Sequence, residues 1–183
     1  MDFNDVSNDI SEVLFDSTEI ARIVEKLARQ IEVDYAGKNL LLVGVLKGAA
    51  PFMVDLSREL RIPVETDWMA VSSYGNSTHS SGVVRILKDL DADIADRHVL
   101  IAEDLIDSGL TLTWLKENLE SRNPASVEIA ALLRKPSAMK KDPEAKYIGE
   151  DIPNSFIVGY GLDYAEKYRN LKGIGILSPH VYS

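Results

Sequence analysis

The sequence contains no cysteine among its 183 residues. That absence excludes a disulfide framework, a thiolate zinc site, an iron–sulfur cluster and a cysteine nucleophile. Histidine is nearly as scarce, and His79, His98 and His180 form no metal-binding spacing such as H-E-x-x-H. A chain of this length can bury roughly 70% of its unfolded surface, so it needs no covalent or metal cross-link to fold.

Positive charge is also in short supply, because 29 acidic residues outnumber 20 basic ones and leave a net charge of −9. Such a balance repels phosphate backbones and anionic headgroups, so we expect no nucleic-acid partner and no membrane partner. The longest apolar run, Leu40–Leu46, is far shorter than the ~20 residues that a membrane helix needs. The acidic N-terminus is unlike a signal peptide, and we expect a soluble, cytoplasmic protein with one domain over residues 1–183.

Short apolar strands alternate with amphipathic helices along most of the chain. The polar residues 1–15 are expected to form a loosely attached arm. We predict helices over residues 17–32, 49–60, 111–121 and 163–171, and strands over residues 40–46, 64–71, 83–87, 99–102, 127–133, 156–159 and 174–177, with another near Tyr147. This alternation is typical of an α/β fold with a mostly parallel, doubly wound sheet. Such sheets bind ligands beyond the carboxyl ends of their strands, here after Leu46, Ala102 and Leu133.

The segment from Val99 to Thr111 is the most informative. A buried strand leads to two adjacent acids, Glu103 and Asp104, and the chain then turns through Asp107-Ser108-Gly109 into a helix. Successive amides, hydroxyl groups and a helix N-terminus form a cradle for a phosphate. The acid pair suits two vicinal hydroxyls or a Mg²⁺ ion carried in with a phosphate. The alternative is a plain helix cap at Asp107 or Ser108, with two solvated acids beside it.

This segment resembles the 5-phosphoribosyl-1-pyrophosphate (PRPP) motif of the type I phosphoribosyltransferases, and the resemblance is closest to their hypoxanthine-guanine branch. It extends over nearly the whole chain, in the order of that branch, through the Leu46-Lys47-Gly48 turn, Ser72-Ser73-Tyr74-Gly75, Arg134-Lys135-Pro136 and the run from Phe156 to Tyr164. Departures are small. Ser108 stands where the family often has Thr, and Leu110 occupies a variable position.

The resemblance implies a parallel sheet with a small hood from the terminal segments, and transfer of a phosphoribosyl group from PRPP to N9 of hypoxanthine or guanine. It implies that Asp107 is the general base and that Glu103 and Asp104 face the ribose hydroxyls. It further assigns the 5′-phosphate to Asp107, Ser108, Gly109, Leu110 and Thr111; the pyrophosphate to Lys47, Gly48, Ser73, Tyr74 and Arg169; the purine to Lys135, Phe156, Ile157 and Asp163; and Mg²⁺ to Glu103, Asp104 and Asp163. A homodimer or homotetramer is also implied.

Each of these residues has a simpler interpretation. The Lys47-Gly48 pair is a common strand-ending turn, and residues 72–81 have the composition of a surface loop, although the resemblance makes them a lid over PRPP. Lys135 is alternatively a solvated charge and Phe156 a core residue. Asp163 is alternatively a helix cap and Arg169 an exposed helical residue.

Two other functions also remain open. One is a regulator that uses the same fold to sense PRPP or purines. The other is a phosphoribosyltransferase for another base, such as xanthine.

Overall fold

A computed structural model describes residues 1–73 and 84–182, without the side chain of Ser73. Its strands are β1 (Ile10–Phe15), β2 (Leu40–Leu46), β3 (Glu65–Ser73), β4 (Val84–Lys88), β5 (His98–Ile106), β6 (Ser126–Arg134), β7 (Tyr147–Asp151), β8 (Ile157–Val158) and β9 (Ile174–Leu177). Its helices are α1 (Ser17–Tyr35), α2 (Ala50–Glu59), α3 (Leu110–Glu120) and α4 (Pro179–Tyr182).

A six-stranded sheet with the order β4-β3-β2-β5-β6-β7 forms the centre of the fold. Its pairs are parallel except for β4, which runs antiparallel to β3 at one edge. The residues of β2 alternate between the two faces, because Leu40 and Leu42 pack with α1 and α2 while Leu41 and Val43 pack with α3. Helices therefore cover both faces, and the predicted doubly wound α/β fold is confirmed.

The first helix begins where the sequence predicts. Asp16 accepts hydrogen bonds from the backbone N–H groups of Thr18 and Glu19, both at 2.8 Å. The Glu19 carboxylate in turn accepts from the Asp16 amide at 2.8 Å, which completes a capping box. No helix among the described residues is long and apolar enough to cross a membrane.

A second, three-stranded sheet with the order β1-β9-β8 joins the two ends of the chain. Both of its strand pairs are antiparallel. It is the hood that the family resemblance implies. The prediction of a loosely attached arm over residues 1–15 is wrong, since Ile10–Phe15 is a strand whose partner, β9, lies more than 150 residues further along the chain.

The helix predicted over residues 163–171 is absent from this described segment, which consists of turns. Ala165, Glu166 and Tyr168 have φ angles of +49°, +65° and +73°, which no right-handed helix accommodates. Contacts outside the segment compensate: the Tyr168 hydroxyl donates to Asp9 at 2.9 Å. Tertiary contacts here override the local helix propensity of the sequence.

Candidate active site

The carboxyl ends of β2, β5 and β6 meet the turns that follow β8 around a cavity of about 370 Å³. Its lining includes most of the residues singled out from the sequence: Lys47, Gly48, Glu103, Asp104, Asp107, Lys135, Phe156, Ile157, Asp163 and Arg169. A neighbouring cavity of about 280 Å³ shares Glu103 and Asp107 and is also lined by Ser108, Gly109 and Thr111. Leu110 opens α3 without lining either cavity. Ser73 ends β3, and Tyr74 lies outside the described residues.

Glu103 and Asp104 lie inside β5 rather than after it, because the pairing of β5 with β6 continues to Ile106. Burial raises the pKa of Asp104 to about 6 and that of Glu103 well above its usual range, and the Asp104 charge raises the latter further. The Glu103 Oε2 atom is buried without a hydrogen-bond partner. A buried oxygen without a partner is costly, so this pair is suited to a ligand that supplies a hydroxyl or a cation.

Gly48 lies so close to Asp104 that a larger residue would displace the Asp104 carboxylate. A Cβ atom built on Gly48 would lie 2.0 Å from Asp104 Oδ2. The turn after β2 therefore exposes backbone directly beside the carboxylates. A cis peptide bond joins Leu46 and Lys47 just before it.

Asp107 and Lys135 come from the ends of adjacent parallel strands. The Lys135 amide donates to the Ile106 carbonyl at 2.9 Å, and the Lys135 ammonium lies 3.6 Å from Asp107 Oδ2. Lys135 is buried, whereas Asp107 is exposed. The alternative of a solvated Lys135 is therefore wrong. So is the alternative of Asp107 as a helix cap, since α3 has Gly109 as its N-cap and no side-chain cap.

The Asp107–Thr111 loop is held in a conformation that requires glycine at position 109. Gly109 has φ +75°, and a Cβ atom there would lie 1.9 Å from the Lys141 carbonyl oxygen. The amides of Lys140 and Lys141 donate to the Ser108 carbonyl at 2.9 and 3.2 Å and hold the loop in place. The first amides of α3 have no acceptor within the helix and can bind an anion.

Phe156 lies on the opposite wall with its side chain 40% exposed, so its interpretation as a core residue is wrong. The Tyr182 ring stacks on it at 5.1 Å between centroids, and the Tyr164 ring meets it edge-on at 5.7 Å. Ile157 is buried and places its backbone next to this platform. The arrangement offers an aromatic surface and backbone polar groups to a flat heterocycle.

Arg169 belongs to a charged network rather than to an exposed helical face. Its guanidinium donates to the Gly161 carbonyl at 2.7 Å and pairs with Asp163 at 2.8 Å. Asp163 also accepts from the Glu166 amide at 2.8 Å, in a turn that is not a helix N-terminus. Asp163 therefore pairs with Arg169 while it lines the same cavity as Glu103 and Asp104.

Glu166 is the residue that sequence reasoning missed. Its carboxylate pairs with both cations assigned to the pyrophosphate, at 3.1 Å from the Lys47 ammonium and 3.4 Å from the Arg169 guanidinium. These two cations hold the pKa of Glu166 below its usual value. The one feature of the sequence that could have indicated Glu166 is its position three residues before Arg169.

The acid pair fits the Mg²⁺ ion implied by the family. Mg²⁺ prefers oxygen ligands and usually binds one or two carboxylates together with substrate phosphates. In the described part of the chain, no three acidic or histidine side chains form a ready-made metal site. Glu103 and Asp104, with one oxygen unpartnered, would supply the carboxylate ligands of such a site.

Comparison with known proteins agrees with this geometry. A family model described as a phosphoribosyl transferase domain matches residues 11–165. The hypoxanthine-guanine phosphoribosyltransferase of Mycobacterium tuberculosis is 55% identical over 180 residues, 95% of this chain and 89% of that protein. Its namesake in Bacillus subtilis is 50% identical over 97% of this chain and 98% of that protein. A crystal structure of a hypoxanthine phosphoribosyltransferase from Staphylococcus aureus has a TM-score of 0.94 at 49% identity, with 97% of each chain covered. The chain belongs to the phosphoribosyltransferase family, in its hypoxanthine-guanine branch.

Proposed function

We propose that this protein transfers the 5-phosphoribosyl group of PRPP to N9 of hypoxanthine or guanine, with Mg²⁺ as cofactor. The products are a purine nucleoside monophosphate and pyrophosphate. The strongest support is that the carboxylates of Glu103 and Asp104, the exposed Asp107 and the N-terminus of α3 surround one pair of adjoining cavities. A phosphorylated ribose needs that combination of groups.

In the proposed reaction a bond forms between N9 and C1′ of the ribose, and the bond between C1′ and the pyrophosphate oxygen breaks. The purine loses a proton, and Asp107 is positioned to accept it because its carboxylate faces the cavity and caps no helix. Carboxylates at Glu103 and Asp104 would stabilise the positive charge that develops on the ribose. Bound Mg²⁺ would offset the negative charge of the pyrophosphate group.

The purine would lie between Phe156 and the end of β6. The buried Lys135 ammonium, which can only donate hydrogen bonds, would satisfy the 6-oxygen of an oxopurine. The Ile157 backbone would meet the edge of the base. Asp163, which family resemblance assigns to the purine and to Mg²⁺, would also orient Arg169, since those two groups pair at 2.8 Å.

The 5′-phosphate would bind the amides and hydroxyls of the Asp107–Thr111 loop. The pyrophosphate would bind Lys47, Gly48 and Arg169, and Ser73 and Tyr74 remain assigned to it by family resemblance alone. In this proposal residues 1–183 act as one domain of a cytoplasmic homodimer or homotetramer, with no nucleic-acid or membrane partner.

A spectrophotometric assay with PRPP, Mg²⁺ and each of hypoxanthine, guanine, xanthine and adenine tests the function. We expect turnover of the first two bases, loss of turnover in EDTA and recovery with excess Mg²⁺. Asp107→Asn should lower kcat by roughly 10²- to 10⁴-fold, the usual contribution of a general base, while PRPP binding survives. Absence of turnover with every base would instead favour a regulator that senses PRPP, and full activity in EDTA would refute the metal requirement.

A further inference from the structure

The Glu166 carboxylate is an anion of the protein itself that lies beside the proposed pyrophosphate subsite. Its carboxylate contacts the Lys47 ammonium and the Arg169 guanidinium, both of which belong to residues that line the cavity. Glu166 itself is outside the set of residues that line that cavity and belongs to an adjacent depression. It therefore lies at the rim, where it can release both cations without obstructing the site.

The local backbone explains how the carboxylate reaches both partners. Ala165 and Glu166 have left-handed φ angles, and the Glu166 amide donates to Asp163 at 2.8 Å. Arg169 is fixed independently by the Gly161 carbonyl and by Asp163, at 2.7 and 2.8 Å. Loss of the Glu166 carboxylate would thus leave Arg169 in place.

Both ion pairs of Glu166 can be exchanged, since the Lys47 pair is exposed and the contact to Arg169, whose side chain is 26% exposed, is long at 3.4 Å. The side chains of Glu166 and Lys47 are 65% and 68% exposed. Exposed ion pairs contribute little to stability, so an incoming polyanion can take over both cations at low cost. The same carboxylate remains nearby when pyrophosphate is formed and can recover the cations as the product leaves.

We propose that Glu166 competes with pyrophosphate for Lys47 and Arg169 and thereby weakens pyrophosphate retention and promotes its release. This rests on the proposed function, in which these two cations bind the pyrophosphate group. Glu166 is not a catalytic residue, because it acts on the affinity of the site through its two cationic partners.

Glu166→Gln tests the proposal, because glutamine keeps the length, the backbone conformation and the amide contact to Asp163. Glu12→Gln is the matched control, since it removes an equal charge from an exposed position on the hood strand β1. The primary measurement is the Kd of pyrophosphate in the presence of Mg²⁺, by isothermal titration calorimetry of the full chain. We expect Glu166→Gln to bind about three- to tenfold more tightly than wild type at low salt, with the gain reduced at high salt by screening.

Two further measurements locate the effect. In a Lys47→Met background, Glu166→Gln should give a smaller gain, because one of the contested cations is gone. The KM for PRPP should fall in Glu166→Gln, and kcat should not rise.

The outcomes separate the two claims. If Glu166→Gln binds pyrophosphate no more tightly than Glu12→Gln, or more weakly, Glu166 only supports the turn and the competition is refuted. If wild type does not bind pyrophosphate even at millimolar concentration, the assignment of the subsite fails as well. Turnover of hypoxanthine by wild type is measured separately and tests the proposed function alone.

Discussion

Asp104→Asn should stabilise the protein while it damages the site. Burial raises the pKa of Asp104 to about 6 from its ordinary value of 3.8, so keeping this carboxylate ionised at neutral pH costs folding free energy. Asparagine has nearly the same shape and can still accept the hydrogen bond that the Leu105 amide donates at 2.9 Å. It is neutral at every pH.

The sign of the effect follows from proton binding. Between pH values near 3.8 and 6 the folded protein holds a proton at Asp104 that the unfolded chain has lost, so stability falls as pH rises through this window. A difference of about two pKa units corresponds to roughly 3 kcal/mol. The Asp104 charge also raises the pKa of Glu103. Its removal therefore makes the ionised Glu103 less costly, which stabilises the variant further.

Urea unfolding of the wild type and of Asp104→Asn, at several pH values, measures this difference. We expect the variant to gain up to about 3 kcal/mol near neutral pH and much less near pH 4.5, together with a loss of Mg²⁺-dependent turnover. Glu12→Gln is the control, because it also removes one carboxylate charge, but from an exposed position, and it should leave stability unchanged. An Asp104→Asn variant that is no more stable than wild type at neutral pH would refute the reasoning.

Two other substitutions probe the purine and phosphate sides of the site. Lys135→Met should narrow the preference for hypoxanthine over adenine, measured as the ratio of kcat/KM values, by roughly 10- to 150-fold, because a mispaired buried polar group costs about 1–3 kcal/mol. Lys140→Met is the control, because Lys140 lies in the same loop but is exposed, and it should keep the wild-type ratio of kcat/KM values. If the two variants have the same ratio, Lys135 does not determine the choice of base. Gly109→Ala should lose more than the ~1 kcal/mol of unfolding free energy expected for backbone strain alone, and should also weaken PRPP binding. Gly37→Ala is the control, because Gly37 has φ +72° but nothing within 4 Å of a Cβ atom, and similar losses in the two variants would contradict the steric argument.

The sheet and the β5 loop could be predicted from sequence because their signals are local. The run Leu40–Leu46 is apolar throughout and is confirmed as β2, a strand buried between two helical layers. The acids at Glu103 and Asp104 follow an equally apolar stretch, and the Asp107-Ser108-Gly109 turn precedes a helix with periodic leucines. Each of these patterns involves residues fewer than about ten positions apart, where hydrophobic periodicity is informative.

The hood strands β8 and β9 were predicted from their apolar runs at residues 156–159 and 174–177, but the N-terminal strand β1 and its pairing could not be predicted in the same way. The strand β1 has only three at least partly buried positions among six, and its partner β9 lies at the other end of the chain. The segment from Asp163 to Leu171 contains good helix formers, yet contacts such as Tyr168 to Asp9 determine its shape. Long-range pairings of this kind leave no periodic signal in either segment.

The active site combines residues of the central sheet with residues of the hood. The sequence predicted where the former lie, but for the latter it indicated only which residues take part. Lys135 directly follows β6 of the central sheet, whereas Phe156 directly precedes β8 of the hood. The two parts meet at Gly161, where a Cβ atom would lie 1.9 Å from the Gly48 carbonyl oxygen, so only glycine permits this approach. Arg169 secures the same turn through the Gly161 carbonyl. The distance across the cavity, and with it the fit of a purine beside a pyrophosphate, therefore depends in part on this close approach of two turns that are far apart in sequence, which no local motif encodes.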